Sequence, residues 1–341
     1  MKKRKVSIIT PCHNMESELM KKAYMSLKNQ TMGFDNIEWL VVFHNSLEKD
    51  VELFTGIIDL EENIKISTLN NHVDSPASPR NYALSQATGT YIGFLDADDM
   101  YETDVCEKVI RELESTGAQI VSFRYELRGT ETARFRVTNA TNLDETAERV
   151  IVETSNWDSR KYVYGMGLGI TTKFYRADFI QNNNLKFNET IPFASDTLFN
   201  LECFDKMDMI CYLPGFKGYQ YNLKSNSVIQ KVVKPETIMS YAEGLRVLFN
   251  RGLQTKLDIS DLMWELIAYI ATTTMFSSEV SCNDVCEVAK VLEEYLQYMK
   301  PLRPSNAHPA EGIEHTMQLV TGFLKYPKTF YENTIKKDMG N

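Results

Sequence analysis

Apolar and polar positions along the first part of the chain switch repeatedly between two periods. Val6 to Thr10 is a short β-branched run, the pattern of a buried strand. Ser17 to Asn29 follows with Leu19, Ala23 and Leu27 on one face, which is helical spacing. The exchange then recurs. Trp39 to Phe43 predicts a strand, Val51 to Leu60 a helix, and Ile64 to Ser67 a short strand. Ser78 to Ala87 predicts a helix opened by Pro79, a residue suited to a first helical turn. A strand at 91–95, a helix near 103–115 and a strand over Ile120 to Phe123 complete the run. Repeated strand–helix–strand units predict an α/β fold with a mainly parallel, Rossmann-like sheet and helices on both faces.

The order loosens after Arg124. Thr130 to Thr141 is polar and reads as an irregular excursion or an added hairpin, and Gly165 to Gly169 as a flexible or tightly turning loop. Thr171 to Tyr175 predicts a strand and Arg176 to Asn182 a helix. Ser195 to Phe204 predicts another helix, capped by Ser195 or Asp196. Met209 to Leu213 and Tyr219 to Tyr221 predict two short strands. Beyond Pro235 the pattern is helical throughout: Glu236 to Asn250, Ile259 to Phe276, Asp284 to Met299 and Gly312 to Lys325. In the third of these, Val285, Ala289, Leu292 and Leu296 form an apolar stripe. The change near 233–236 predicts two domains, 1–234 and a C-terminal α-helical domain 235–341.

Composition narrows the classes. A chain of 341 residues suffices for two cores, and net charge −9 argues against a general attraction to nucleic acid or anionic lipid. The six cysteines show no Cys-x-x-Cys spacing and read as separate thiols of a reducing compartment. The basic N-terminus is followed only by Val6 to Ile9 before Pro11 and His13 intervene, too short an apolar stretch for a signal peptide. Leu262 to Phe276 contains Glu265 and falls short of the roughly 20 apolar residues of a membrane span. A cytoplasmic protein is expected. Phe323, Leu324, Tyr326, Phe330 and Tyr331 beside Lys325, Lys328, Lys336 and Lys337 suit peripheral contact with the inner face of a membrane. The C-terminal helices would equally serve as an acceptor platform or a homo-oligomer interface, and a packed helix with a solvated basic face is the simplest reading.

The candidate chemistry centres on Asp96-Ala97-Asp98-Asp99, which follows the apolar run Tyr91 to Leu95. It places three carboxylates at the C-terminal end of a buried strand, where open α/β sheets bind ligands. Clustered anions call for a cation, and hard oxygen ligands suit Mg²⁺ or Mn²⁺. A plain helix cap by Asp98 or Asp99 is the competing reading. Four further segments accompany this one. They are Pro11-Cys12-His13-Asn14 with Glu16, Ser75 to Asn81 with Arg80, Ile191 to Asn200 with Asp196, and Tyr219-Gln220-Tyr221 with Ser225-Asn226-Ser227.

In that order these segments resemble the family 2 glycosyltransferases of the GT-A fold over about residues 5–230. The family shows Pro-x-Tyr-Asn-x-Glu after its first strand, then a Ser/Ala-rich segment ending Arg-Asn. Gly-x-Tyr-Ile-x-Phe-Leu-Asp-x-Asp-Asp follows, and later Glu-Asp-Thr-Leu-Phe. The resemblance implies an inverting transfer of sugar from a nucleotide diphosphate sugar, by analogy a UDP-sugar, to a hydroxyl of a bacterial glycan or glycoconjugate. It implies that Asp98 holds the metal, that Asp96, Ala97 and Arg80 lie at the donor, and that Asp196 is the base. Pro11, His13, Asn14, Glu16 and His44 would line the donor side. Simple capping remains the alternative for Asp196, a surface position for Arg80, and strand-end packing for His13 and His44.

Three departures stand out. Phe43-His44-Asn45-Ser46 replaces the family's Asp-Asp-Gly-Ser, His13 replaces a tyrosine, and Ser195 replaces a glutamate. They motivate a rival, a sugar-nucleotide-binding module with little turnover. A nucleotidyltransferase ranks lower, because Thr10 to Glu16 offers neither glycine nor lysine for a triphosphate. Trp157, Tyr162 and Tyr164 before the glycine-rich segment are candidates to stack on an acceptor sugar or to anchor a loop.

Overall fold

The computed structural model describes residues 4–13, 16–71, 75–128, 146–153, 169–190, 195–222, 281–299 and 325–330, with positions 155, 166, 247, 322 and 332. Asn14, the 130–141 excursion, Trp157, Tyr162 and Tyr164 lie outside these residues, as do most of the glycine-rich segment and most of the expected helices at 236–250, 259–276 and 312–325. The chain divides into two compact units, one of residues 1–190 with 195–227 and one of 191–194 with 228–341.

In the first unit the elements run β1 (Val6–Cys12), α1 (Ser17–Lys28), β2 (Ile37–His44), α2 (Glu48–Thr55), β3 (Ile64–Leu69), α3 (Ala77–Gln86), β4 (Tyr91–Phe94), β5 (Met100–Tyr101), α4 (Val105–Thr116), β6 (Ile120–Arg128), β7 (Val150–Glu153), β8 (Lys173–Arg176), α5 (Ala177–Asn182), α6 (Ser195–Lys206) and β9 (Met209–Asn222). One sheet takes the strands in the order β3-β2-β1-β4-β8-β6-β9-β5, with β7 beside β9. Pairing is parallel across β3, β2, β1 and β4, as the strand–helix alternation predicts. Beyond β4 the sheet becomes mixed. β8 runs antiparallel to both β4 and β6, and β9 is parallel to β6 but antiparallel to β5 and β7.

The two expected strands at 209–213 and 219–221 are one strand, β9, running through Pro214. A shift of pairing between Phe123 and Tyr125 on β6 absorbs the irregularity, so the segment bends without leaving the sheet. The second helix lies earlier than its apolar pattern suggests, ending at Gly56. Asp50 there accepts the Leu47 N–H at 3.3 Å and sets the start.

Central strands are buried on both faces, which explains their unbroken apolar runs. Val6, Ile8, Trp39, Val41 and Phe43 pack against Met20, Tyr24 and Leu27 of α1, Phe54 of α2 and Val109 and Leu113 of α4. On the opposite face α3 covers β1 and β2. Phe94, Tyr175, Phe187 and Phe199 form an edge-on ring cluster on that side, within which Phe187 stacks on Phe199 at 4.1 Å.

Near the N-terminal ends of the strands the buried carboxylate of Glu38 accepts bonds from Ser7 Oγ, Lys65 Nζ at 2.6 Å, and Thr88 N and Oγ1 at 2.8 Å. Burial would raise its pKa, but the bonds from Lys65, Ser7 and Thr88 outweigh it and hold the carboxyl below the usual range. Beside it Gly89 passes so close to β1 that a Cβ would lie 2.5 Å from Ser7 N and 2.7 Å from Val6 C. Both obstacles are backbone. Gly89→Ala is expected to cost about 1–3 kcal/mol, read as a lower urea midpoint with an unchanged slope. An unchanged midpoint would show that the β1–β4 edge yields freely.

In the second unit the described elements are α7 (Cys282–Met299) and α8 (Pro327–Phe330), which pack on each other. Val285, Val288 and Ala289 are buried, matching the start of the expected apolar stripe. Among the described residues no helix is long and apolar enough to cross a membrane.

Candidate active site

The carboxylate turn grows out of β4. Leu95 N–H still donates to Ile9 O at 3.0 Å, so the strand register persists one residue past β4. Asp99 N–H then closes back on Asp96 O at 3.1 Å, and the chain turns. Ala97 is buried in the core under this turn. Strand β9 clamps the turn from the side. Tyr219 O–H donates to Asp99 Oδ2 at 2.6 Å, Asn222 N–H to Asp99 Oδ1 at 2.7 Å, and Asp96 N–H to Tyr219 Oη at 3.3 Å. Asp99 therefore holds the loop. The capping alternative is settled by α4 itself, whose N-cap is Asp104. Burial, with Asp98 and Asp96 nearby, pushes the Asp99 carboxyl well above the usual range despite these two bonds.

Asp96 and Asp98 are only partly buried. Arg80 Nη2 donates to Asp96 Oδ1 at 3.0 Å. A cation in the first turns of a helix is unfavourable unless an anion lies near, and Asp96 is that anion. The Arg80 side chain is 7 % exposed, and its buried Nε has no hydrogen-bond partner among the described residues. Burial raises the Asp96 pKa, Arg80 opposes the rise, and the charges of Asp98 and Asp196 add to it. The three aspartates expected to work together thus share one electrostatic neighbourhood, although Asp196 is a hundred residues away along the chain. The same field, after burial, raises the Cys12 thiol at the end of β1.

Asp196 stands in the first turn of α6, and its Oδ1 accepts the Thr197 N–H at 2.9 Å. The approach to α6 is tied to α3. Asn81 exchanges two bonds with the Phe187 backbone, at 2.9 and 2.8 Å, and its Nδ2 donates to Glu189 at 2.7 Å. Ser78 Oγ donates to the other Glu189 oxygen at 2.9 Å. The Arg80 guanidinium lies 5.6 Å over the Phe187 ring.

On the other flank, exposed His13 donates from Nδ1 to His44 O at 2.8 Å. The His44 ring is buried and pairs through Nε2 with Asn71 Oδ1 at 2.9 Å. It presents its carbonyl to His13 and its ring to β3's end. Asn45, in the left-handed region at φ 49°, accepts the Asn71 N–H at 3.0 Å. Pro11 is in β1 opposite Val42. Glu16 is exposed at the start of α1, where its carbonyl receives the Leu19 and Met20 N–H groups.

Among the described residues no set of three His, Cys, Asp or Glu side chains is spaced to hold a metal unaided. Mg²⁺ sites commonly use one or two carboxylates, with water and substrate phosphates completing the shell. Asp98, partly exposed among further anions, fits such an arrangement. Two features escaped the sequence reading. In Tyr219-Gln220-Tyr221 the alternating tyrosines were legible, but not the long-range bond from Tyr219 to Asp99. Lys173 opens β8 and is 0 % exposed, a burial that an isolated lysine in an apolar run only hints at.

The model of glycosyl transferase family 2 matches residues 7–206, more than half of the chain, and the chain belongs to that family. The GT-A fold and the family implied by the motifs are thereby met. TarS of Staphylococcus aureus (strain MW2), a poly(ribitol-phosphate) beta-N-acetylglucosaminyltransferase, is 23% identical over 304 residues, 86% of this chain and 49% of that protein. EpsJ of Bacillus subtilis (strain 168), a glycosyltransferase, is 27% identical over 233 residues, 67% of this chain and 64% of that one. The chain thus spans about half to two thirds of these relatives. The crystal structure of S. aureus TarS 1–349 in complex with UDP superposes with TM-score 0.62 at 20% identity, covering 96% of this chain and 91% of that one.

Proposed function

We propose that the chain moves a sugar from a UDP-sugar, with inversion, to a hydroxyl of a bacterial surface glycan or glycoconjugate. The observation that carries this is the aspartate turn at the end of β4, where Arg80 bonds Asp96 and the charges of Asp98 and Asp196 both act on Asp96. The UDP held by the TarS structure supports the nucleotide, and the poly(ribitol-phosphate) acceptor in the relative's name supports the acceptor class.

Each residue has a task in this reading. Asp98 holds Mg²⁺ or Mn²⁺, which when bound supplies positive charge to the leaving diphosphate. Arg80 orients Asp96 toward the donor. Asp196 accepts the acceptor hydroxyl proton as that oxygen bonds to the anomeric carbon and the carbon–diphosphate bond breaks. Attack opposite the leaving group inverts the centre. Asp99 and Tyr219 hold the turn without touching substrate.

The test is a thermal-shift panel of nucleotide sugars with and without Mn²⁺, followed by assay of transfer. A ligand at 100 times its Kd stabilises the folded state by about 2.7 kcal/mol, enough to raise the melting temperature by several degrees. UDP-sugars are expected to give the largest shift, and only with Mn²⁺. A larger shift with another nucleotide would overturn the donor assignment. A UDP-sugar shift without hydrolysis or transfer to any acceptor would favour a binding module.

A further inference from the structure

Adjacent residues of α3 reach in two directions. Arg80 Nη2 donates to Asp96 Oδ1 at 3.0 Å, at the aspartate turn. Asn81 Oδ1 accepts the Phe187 N–H at 2.8 Å, and its Nδ2 donates to Phe187 O at 2.9 Å and to Glu189 Oε1 at 2.7 Å. Phe187 lies between α5 and α6, outside any helix or strand, and Asn81 supplies partners for both of its backbone groups. The Phe187 ring is buried and stacks on Phe199, with centroids 4.1 Å apart and planes 8° from parallel. The Arg80 guanidinium lies 5.6 Å from the Phe187 centroid. Phe94, the last residue of β4, meets Phe187 and Phe199 edge-on at 5.5 and 6.2 Å. Phe199 stands three residues after Asp196 in α6, and positions i and i+3 share a helix face.

We propose that Phe187, latched by Asn81, is a positioning residue for the transfer: it sets the helix that carries Asp196 against the Arg80–Asp96 pair. This rests on the reading of Asp196 as the base. For packing alone an aliphatic side chain would serve, since hydrophobic exchanges of similar volume usually cost less than about 1.5 kcal/mol. A flat ring adds orientation, because it meets Phe199 face to face and the Arg80 guanidinium as a cation on an aromatic ring. The latch adds the point of reference. Phe187 takes its place from α3 through two side-chain bonds, so the helix that aims Arg80 also aims the ring, and the ring bears on Phe199. Proton acceptance tolerates little error in distance, and a misplacement of about 1 Å can cost about 10²-fold in rate. Asn81 and Phe187 act through the placement of α6, without a part in the chemistry themselves.

The test measures kcat and donor KM for the wild-type chain, Phe187→Leu, Asp196→Asn and the double variant. Phe187→Leu is expected to lower kcat about ten-fold with donor KM within about three-fold of wild type. In the Asp196→Asn background the same substitution should lower the residual transfer by less than about two-fold, because the group to be positioned is gone. An equal loss in both backgrounds, a loss confined to KM, or an unchanged kcat overturns the proposal. Asn81→Ala, at a partly exposed position, removes the latch and keeps the ring, and it should show the same non-additive loss. Should Phe187→Leu fail to fold, Asn81→Ala decides by the same criteria. Failure of the base reading itself is visible separately, as normal transfer by Asp196→Asn alone.

Discussion

Asp196→Asn is expected to lower sugar transfer by about 10²- to 10⁴-fold, the range supplied by general base catalysis, and to leave donor affinity within about two-fold of wild type. The substitution is nearly isosteric. An amide oxygen still accepts the Thr197 N–H that Asp196 Oδ1 takes at 2.9 Å, so the first turn of α6 should persist. What the amide cannot do is accept a proton from an attacking hydroxyl. The electrostatics make a second readout available. Asp196 raises the pKa of Asp96, so its neutral replacement should let Asp96 ionise at lower pH. Transfer near the wild-type rate would show that another group is the base. Loss of donor binding with the fold intact would place Asp196 on the donor.

Asp98→Ala is expected to abolish the Mn²⁺ dependence of donor binding and to weaken it by about a hundred-fold or more, since each ten-fold corresponds to about 1.4 kcal/mol. Without ligand the same variant should melt at the wild-type temperature or higher. The charge of Asp98 raises the pKa of both Asp96 and Asp99, so its removal relieves repulsion in the turn. Burial strengthens this repulsion beyond what the solvated unfolded chain keeps, so the relief is full above the raised carboxyl pKa values of the folded turn and fades as pH falls from them to the usual carboxylate range. Retained Mn²⁺ dependence would refute the metal assignment. A melting temperature well below wild type would recast Asp98 as a structural residue like Asp99.

Much of the architecture was legible because local pattern and tertiary role agree. The buried runs of β1, β2 and β4 and the apolar face of α1 announce a parallel α/β sheet. The mixed half was not. β8 is four residues long, and nothing in Lys173-Phe174-Tyr175-Arg176 states that it inserts antiparallel between β4 and β6. Nor does Pro214 announce that β9 continues through it. The site divides in the same way. Asp96, Asp98, Arg80 and Asp196 are visible as residue types in a recurring order. The division of labour among adjacent aspartates is not, because it depends on Tyr219 and Asn222 arriving from 120 or more positions away. At His44 the residue type left a donor contact and strand-end packing both open, and only the fold shows its ring buried against Asn71.

Helix α3, ten residues long, sends Arg80 to the aspartate turn and Ser78 and Asn81 to the segment that leads to α6. A single helix thus serves as a common anchor for two stretches of chain that lie far apart in sequence. A displacement of α3 would be felt at the Asp96 turn and at residues 187–189 together, so an insertion within 77–86 is expected to disturb both at once.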